Sequence, residues 1–213
     1  MNAKDVRHLQ GVSEAVGAIL QSQEACPALW LPYLSHRDCS ARAHLERIHY
    51  LLENPQICAE RFYYPLLQKV LSAFASSSLT LAFEQYGERF GGIEPHFKDY
   101  KSAGFDLARS RIRDAQRLTS LVMLLDIAHL IAVIVGILVV QAGHRARLDW
   151  HGERGLSFLQ LGLREIARRC YQRLCLPTLT PLPLRSPPKA YAMKHFQQYR
   201  ESLIEFSRVV TFS

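Results

Sequence analysis

"LVMLLDIAHLIAVIVGILVV", residues 121–140, holds only two polar side chains, Asp126 and His129. What covers this run decides the fold. A helix of its length can cross a bilayer, which takes about 20 apolar residues. An aspartate near the bilayer centre, however, costs about 3 kcal/mol on insertion scales. The alternative is a helix buried within a folded protein, apolar on every side because other elements close over every side. We read residues 121–140 as the buried helix. With part of its cover missing, the same surface becomes an apolar patch open to another copy of the chain or to a membrane.

The 48% hydrophobic and 21% charged residues separate the chain from disordered proteins, and 213 residues suffice for one domain or slightly more. The net charge of +7 is unevenly placed. Residues 1–83 carry seven Lys/Arg and seven Asp/Glu, whereas residues 84–213 carry nineteen and twelve. The whole excess lies in the second part, which points to nucleic acid or an anionic membrane surface as partner, or to a solvated basic face. The five cysteines, Cys26, Cys39, Cys58, Cys170 and Cys175, include no C-x-x-C pair. No basic-then-apolar leader opens the chain, so the expected compartment is the reducing cytoplasm. Cys170 and Cys175 are expected to be packing residues, since a zinc site needs closer pairing and suitably spaced histidines.

Residues 3–22 place Val6, Leu9, Val12, Val16, Ile19 and Leu20 on the spacing of one helical face. Pro27 and Pro32 then break the chain. A second helix is predicted from about Ser40 to Leu52, ended by "ENPQ". A third runs from about Gln56 to Phe74, where Pro65 demands a kink or a restart. "ASSS" reads as a turn and "LTLAF", residues 79–83, as a short strand. Beyond the long apolar helix, "LREIARRCYQR" sets Arg164, Arg168 and Arg169 near one helical face, with Arg173 slightly around it. That pattern suits phosphate contacts or a solvated face. "LPTLTPLPLRSPPK" is a proline-rich connector leading to a last helix at about 190–209.

Ahead of the apolar helix lies "YGERFGGIEPHFKDYKSAGF", residues 86–105. Gly91-Gly92 should interrupt the helix begun near Glu84, and Pro95 fits the first turn of a new one. On that helix Glu94, Lys98 and Lys101 share a face, while Tyr86 and Arg89 share a face of the preceding segment. Spacing alone describes a surface Glu–Lys ladder on an amphipathic helix.

The same residues spell Y-x2-R-x4-E-x6-K, followed by "SAGFDL" and an apolar helix. In that order they resemble the C-terminal catalytic signature of DDE-type insertion-sequence transposases. The matching branch is the one named for its Tyr-Arg-Glu-Lys motif, the IS-four family. The likeness continues through "FDLARSRIRDAQRLTSLVMLLDIAHLIAVIVG" and, more weakly, through "ERGLSFLQLGL", residues 153–163. The resemblance implies a ribonuclease-H-like fold in which Glu94 is catalytic and a metal ligand, one member of an Asp-Asp-Glu triad holding two Mg2+ ions. It implies Tyr86, Arg89, Lys98 and Lys101 as DNA-binding residues. Carboxylate oxygens suit paired Mg2+ ions, which stabilise both the attacking and the leaving oxygen of a phosphodiester. Arginine, lysine and tyrosine suit the phosphates of the strand.

Two departures from the family pattern matter. The family places three residues between arginine and glutamate, and this chain has four. One extra residue turns a continuous helix by about 100° and shifts Arg89 relative to Glu94. More consequentially, the first catalytic aspartate would follow the strand at 79–83, where this chain has Glu84 and then Tyr86. The sheet that carries both aspartates has no place. The chain therefore resembles the two ends of such a transposase joined across an internal deletion. The expected fold is mainly α, with a helical N-terminal region over 1–78. A remnant of the ribonuclease-H-like catalytic domain follows over 79–176, with at most one or two short strands, and then a connector and terminal helix over 177–213. The expected function is DNA transposition with impaired catalysis. DNA is the expected partner, with a second copy or a full-length transposase relative beside it. The alternatives are a non-catalytic DNA-binding or inhibitory fragment, and a helical membrane-associated or interaction protein.

Overall fold

Val12, Ala15, Val16, Ile19 and Leu20 recur at helical spacing and are all buried, which makes residues 3–22 one amphipathic helix, α1 (Ala3–Ser22). Val6 and Leu9 share the spacing but are 50% and 46% exposed, so the buried stripe begins at Val12. The computed structural model describes residues 3–34, 39–71, 104–149 and 156–177. Of these, 74% are helical and none forms a strand; the protein is mainly α. The strand expected at 79–83, the helix restart at Pro95, and the connector with its terminal helix fall outside the described residues. The chain divides into two compact units, Met1–Ala128 and His129–Ser213.

In the first unit α1 closes at Gln23, which takes the left-handed conformation (φ 57°) and donates its N–H to the Ile19 carbonyl at 2.8 Å. A 3-10 turn follows over Pro27–Tyr33. Pro27 opens it, where a missing N–H costs nothing. Trp30 in its middle is fully buried, and its indole N–H donates to the Glu24 carbonyl at 2.8 Å. The large ring therefore enters the core with its one polar atom satisfied. The turn packs on both α1 and α2 (Ala41–Glu53), and the two helices pack on each other. Ser40 caps α2 by accepting the Ala43 N–H at 3.2 Å, while His44, Ile48, Leu51 and Leu52 form its buried face. Asn54 ends it, because the residue before a proline is forced out of helical geometry.

The third expected helix is two helices, α3 (Ala59–Phe62) and α4 (Tyr64–Leu71), with the break at Tyr63. An unbroken helix would require an N–H from Pro65 and would drive its ring into the Arg61 carbonyl. The chain restarts instead, and Leu67 donates to the Tyr63 carbonyl at 2.8 Å.

The long apolar run forms α5 (Ala115–Gln141). Asp114 caps it by accepting the Arg117 N–H at 2.8 Å. Gly143 stops it in the left-handed conformation (φ 71°). Gly143 donates to the Val140 carbonyl at 3.1 Å and His144 to the Val139 carbonyl at 3.0 Å, the paired bonds of a Schellman close. The most apolar 18 residues of α5 have a mean hydropathy of 2.7, and 61% of them are buried. Its Asp126 lies half-buried in the first unit, where burial and then the Asp126 charge push the Tyr63 phenol above its ordinary pKa.

The second unit holds the end of α5 and the helix α6 (Phe158–Tyr171), capped by Ser157, which accepts the Gln160 N–H at 3.2 Å. A β-carbon on Gly136 would lie 1.9 Å from the Phe158 carbonyl oxygen, and one on Gly162 would lie 1.7 Å from the Ala132 carbonyl oxygen. Moving one turn back along α5 moves the contact one turn forward along α6, so this stretch of α5 and α6 form an antiparallel hairpin. Their backbones touch because both contact positions lack a side chain. The same closing bonds end α6, from Arg173 to the Cys170 carbonyl and from Leu174 to the Arg169 carbonyl. Here, however, Arg173 holds the left-handed position (φ 55°), which costs about 1–2 kcal/mol relative to glycine.

Gly162→Ala should cost about 1–3 kcal/mol or more in denaturant unfolding, because the opposing atoms are backbone and cannot swing aside. Gly17→Ala, where nothing approaches within 4 Å, should gain up to about 1 kcal/mol. Equal effects from the two substitutions would remove the glycine contact as a determinant of the hairpin.

Candidate nucleic-acid interface

Tyr86, Arg89, Glu94, Lys98 and Lys101 lie outside the described residues, as does the expected Glu–Lys ladder. What the structure does place is the segment directly downstream, "GFDLARSRIRDAQR", residues 104–117, which belongs to the first unit. Phe105 is fully buried, and its carbonyl accepts the Ala25 N–H at 2.6 Å. This fastens the segment beside the end of α1. A 3-10 turn over Leu107–Ser110 follows, flanked by two left-handed residues, Asp106 (φ 47°) and Arg111 (φ 55°). Arg109 reaches back to Glu24 at 2.5 Å, and Arg117 pairs with Glu53. Exposed pairs of this kind are worth less than about 1 kcal/mol each. Their effect is positional: the segment is tied at both ends. Between the ties Arg111 and Arg113 are exposed and have no carboxylate partner among the described residues.

In the second unit three of the six described arginines are paired with carboxylates of the same unit. Arg145 and Asp149 form a pair at 2.6 Å with side chains only 4% and 0% exposed. Asp149 also accepts the Leu156 N–H at 2.9 Å. Glu165 receives three hydrogen bonds, two from Arg168 at 2.8 and 2.7 Å and one from Arg169 at 2.7 Å. Arg169 is turned inward and spends a further N–H on the Cys175 carbonyl at 2.6 Å. Burial alone would raise the Glu165 carboxyl, but the hydrogen bonds from Arg168 and Arg169 outweigh it and hold the group below its ordinary value of 4.5. Of the basic run expected on one face, Arg164 and Arg173 keep exposed charges, Arg164 with one N–H donated to the Leu148 carbonyl at 2.7 Å. Arg147 adds a third exposed charge. His144 beside it adds none at neutral pH, because burial first and the Arg147 charge second push its imidazole below the usual 6.5.

The sequence contains the signal for the Glu165 clasp, a glutamate with arginines three and four residues on. Read for a face, the arginine spacing gives phosphate contacts or a solvated surface; read for a partner, it gives the clasp. Cys170 and Cys175, expected as packing residues, are both exposed. Cys170 falls on the outer face of α6, and Cys175 follows the left-handed close that carries the chain off the helix.

No group of three or more His, Cys, Asp or Glu among the described residues could hold a metal ion, so the Mg2+ expectation rests on Glu94, outside them. Comparison with protein-family models, with curated proteins and with solved structures finds no match to this chain.

Glu165→Gln should cost about 3 kcal/mol, since it leaves buried Arg169 without its counter-charge. The sign with pH follows from the lowered carboxyl. A group whose folded pKa lies below its unfolded value stabilises above that value and ceases to do so as the pH falls through the folded one. Wild-type stability should therefore decline as the pH drops below 4.5, and the Gln variant should lack that component. Unfolding curves from neutral pH down to pH about 3 measure the difference.

Proposed function

We propose that this protein is a transposase-derived DNA-binding protein whose phosphodiester chemistry is impaired. The observation that carries the reading is the pair Arg111 and Arg113, exposed without carboxylate partners among the described residues on a segment tied at both ends. That segment lies inside the stretch, residues 86–140, whose order of residues resembles the Tyr-Arg-Glu-Lys signature. The charge excess of residues 84–213 supports it, because DNA affinity without sequence preference comes from arginine and lysine displacing counterions. On this reading residues 79–176 are a remnant of a ribonuclease-H-like domain. Tyr86, Arg89, Lys98 and Lys101 then hold the strand, and Glu94 is the one triad carboxylate left. A single carboxylate holds Mg2+ weakly and cannot position two ions. The protein would act in the cytoplasm, on DNA, by itself or paired with a second copy or a full-length relative.

Fluorescence anisotropy with a labelled duplex of arbitrary sequence should show weak binding that falls steeply between low and physiological salt. Arg111→Ala combined with Arg113→Ala should lessen the salt slope by about two. Salt-indifferent binding, or an unchanged slope in the double variant, would overturn the assignment. Binding to anionic vesicles in place of DNA would favour a membrane role for α5, whose length and hydropathy suit one.

Supercoiled plasmid incubated with the protein and Mg2+ or Mn2+ should remain intact, and Glu94→Gln should behave identically. Cleavage lost in the variant would mean that a working metal site is present.

A further inference from the structure

We infer that the second unit carries a further DNA-contacting surface, where Arg147 and Arg164 hold phosphates and His144 takes up a proton as they bind. The inference rests on the DNA-binding reading above and adds to it a second site and a dependence on pH.

The surface forms where the chain leaves α5. After the Schellman close, His144 leads into a 3-10 turn over Arg145–Arg147, and Arg164 on α6 donates to the Leu148 carbonyl at 2.7 Å. The turn is thereby held against α6, and Arg147 and Arg164 belong to one seam. Both are exposed, and neither has a carboxylate partner among the described residues. The two described carboxylates of the unit are spent. Asp149 holds Arg145 and the Leu156 N–H, and Glu165 holds Arg168 and Arg169. Unpaired arginines on a fixed seam suit phosphate oxygens, which they meet through charge-assisted hydrogen bonds.

His144 is half-buried near Arg147. Burial first and the Arg147 charge second keep its imidazole neutral; Glu165 favours the imidazolium, while Arg168 and Arg169 oppose it. The carbonyl end of α5 would also favour a cation, but its Val139 and Val140 carbonyls are already engaged by the His144 and Gly143 N–H groups. A phosphate on Arg147 changes this balance. It cancels the charge that most opposes the imidazolium and adds a negative one. The imidazole becomes a stronger base in the complex, so binding strengthens as the pH falls. DNA phosphates stay ionised across the range of about pH 5–8 in which histidine titrates, so the proton is taken up by the protein.

Fluorescence anisotropy on the full chain with a labelled duplex tests both parts. Arg147→Ala combined with Arg164→Ala should lessen the salt slope by about two, and Arg147→Ala alone, at a side chain that holds nothing else in place, by about one. From about pH 8 to about pH 6 the wild-type affinity should rise about threefold or more, and His144→Gln should lose most of that rise. Calorimetry of wild type at about pH 6 in two buffers of unlike ionisation heat should show net proton uptake on binding. An unchanged slope in the Arg147 variants overturns this surface, and a lowered slope in the Arg111→Ala, Arg113→Ala protein would still leave the DNA reading standing. An equal rise in wild type and His144→Gln, or no proton uptake, overturns the role of His144. Wild-type binding that is absent or indifferent to salt ends the DNA reading, and this surface with it.

Discussion

The hairpin in the second unit depends on a place where two helices meet without side chains between them. Gly136 and Gly162 each face a backbone carbonyl at a distance that excludes even a methyl group. This matters because α5 is apolar around its whole circumference, and a helix of that kind is stable in water only under close cover. Leu159, Leu163 and Ile166 on α6 are buried, so its apolar side is withdrawn from water together with that of α5. A larger residue at either glycine would part the helices and uncover both.

Charge is arranged around that apolar centre by the same economy. Burying a guanidinium is tolerable only beside a carboxylate with further hydrogen bonds. Asp149 and Glu165 supply the carboxylate for Arg145 and Arg169, each from a position four residues away on the same stretch of chain, while Nε and Nη1 of Arg145 stay buried without a hydrogen-bond partner among the described residues. The pairing also decides which arginines can meet a partner. Arg145 and Arg169 are structural, Arg168 is half committed, and Arg147, Arg164 and Arg173 face solvent. A net charge counted from the sequence overstates the basic surface, because it weighs buried pairs and exposed arginines alike.

Much of the helical layout could be read directly from the chain. The Ser40 cap, the stop at Asn54-Pro55, the restart forced by Pro65 and the apolar run of α5 all act over one turn of backbone, and local chemistry suffices to place them. Trp30 is different. Its burial depends on α1 and α2 closing around a 3-10 turn, and nothing in "PALWLPY" states which of its apolar residues goes inside. The glycine contacts of the hairpin were equally hidden, since Gly136 and Gly162 become neighbours only after the chain reverses. For the candidate surface, arginine spacing marked the run at 164–173 and not Arg111 and Arg113, whose segment entered only through the family resemblance, and the carboxylates that tie it down, Glu24 and Glu53, lie far along the sequence. The residues carrying the transposase likeness, Tyr86 to Lys101, lie outside what the structure describes.

The hairpin also bears on how the protein is made. Synthesis runs from the N-terminus, so α5 is complete before any of α6 exists. Roughly thirty residues separate the end of α5 from the end of α6, and ribosomes add about 5–20 residues per second. For a few seconds each new chain carries a long apolar helix whose glycine seat has no occupant. During that interval the same helix is a substrate for chaperones, and for the machinery that recognises membrane-bound segments as they emerge. The fate of a nascent chain therefore turns on whether α6 arrives first.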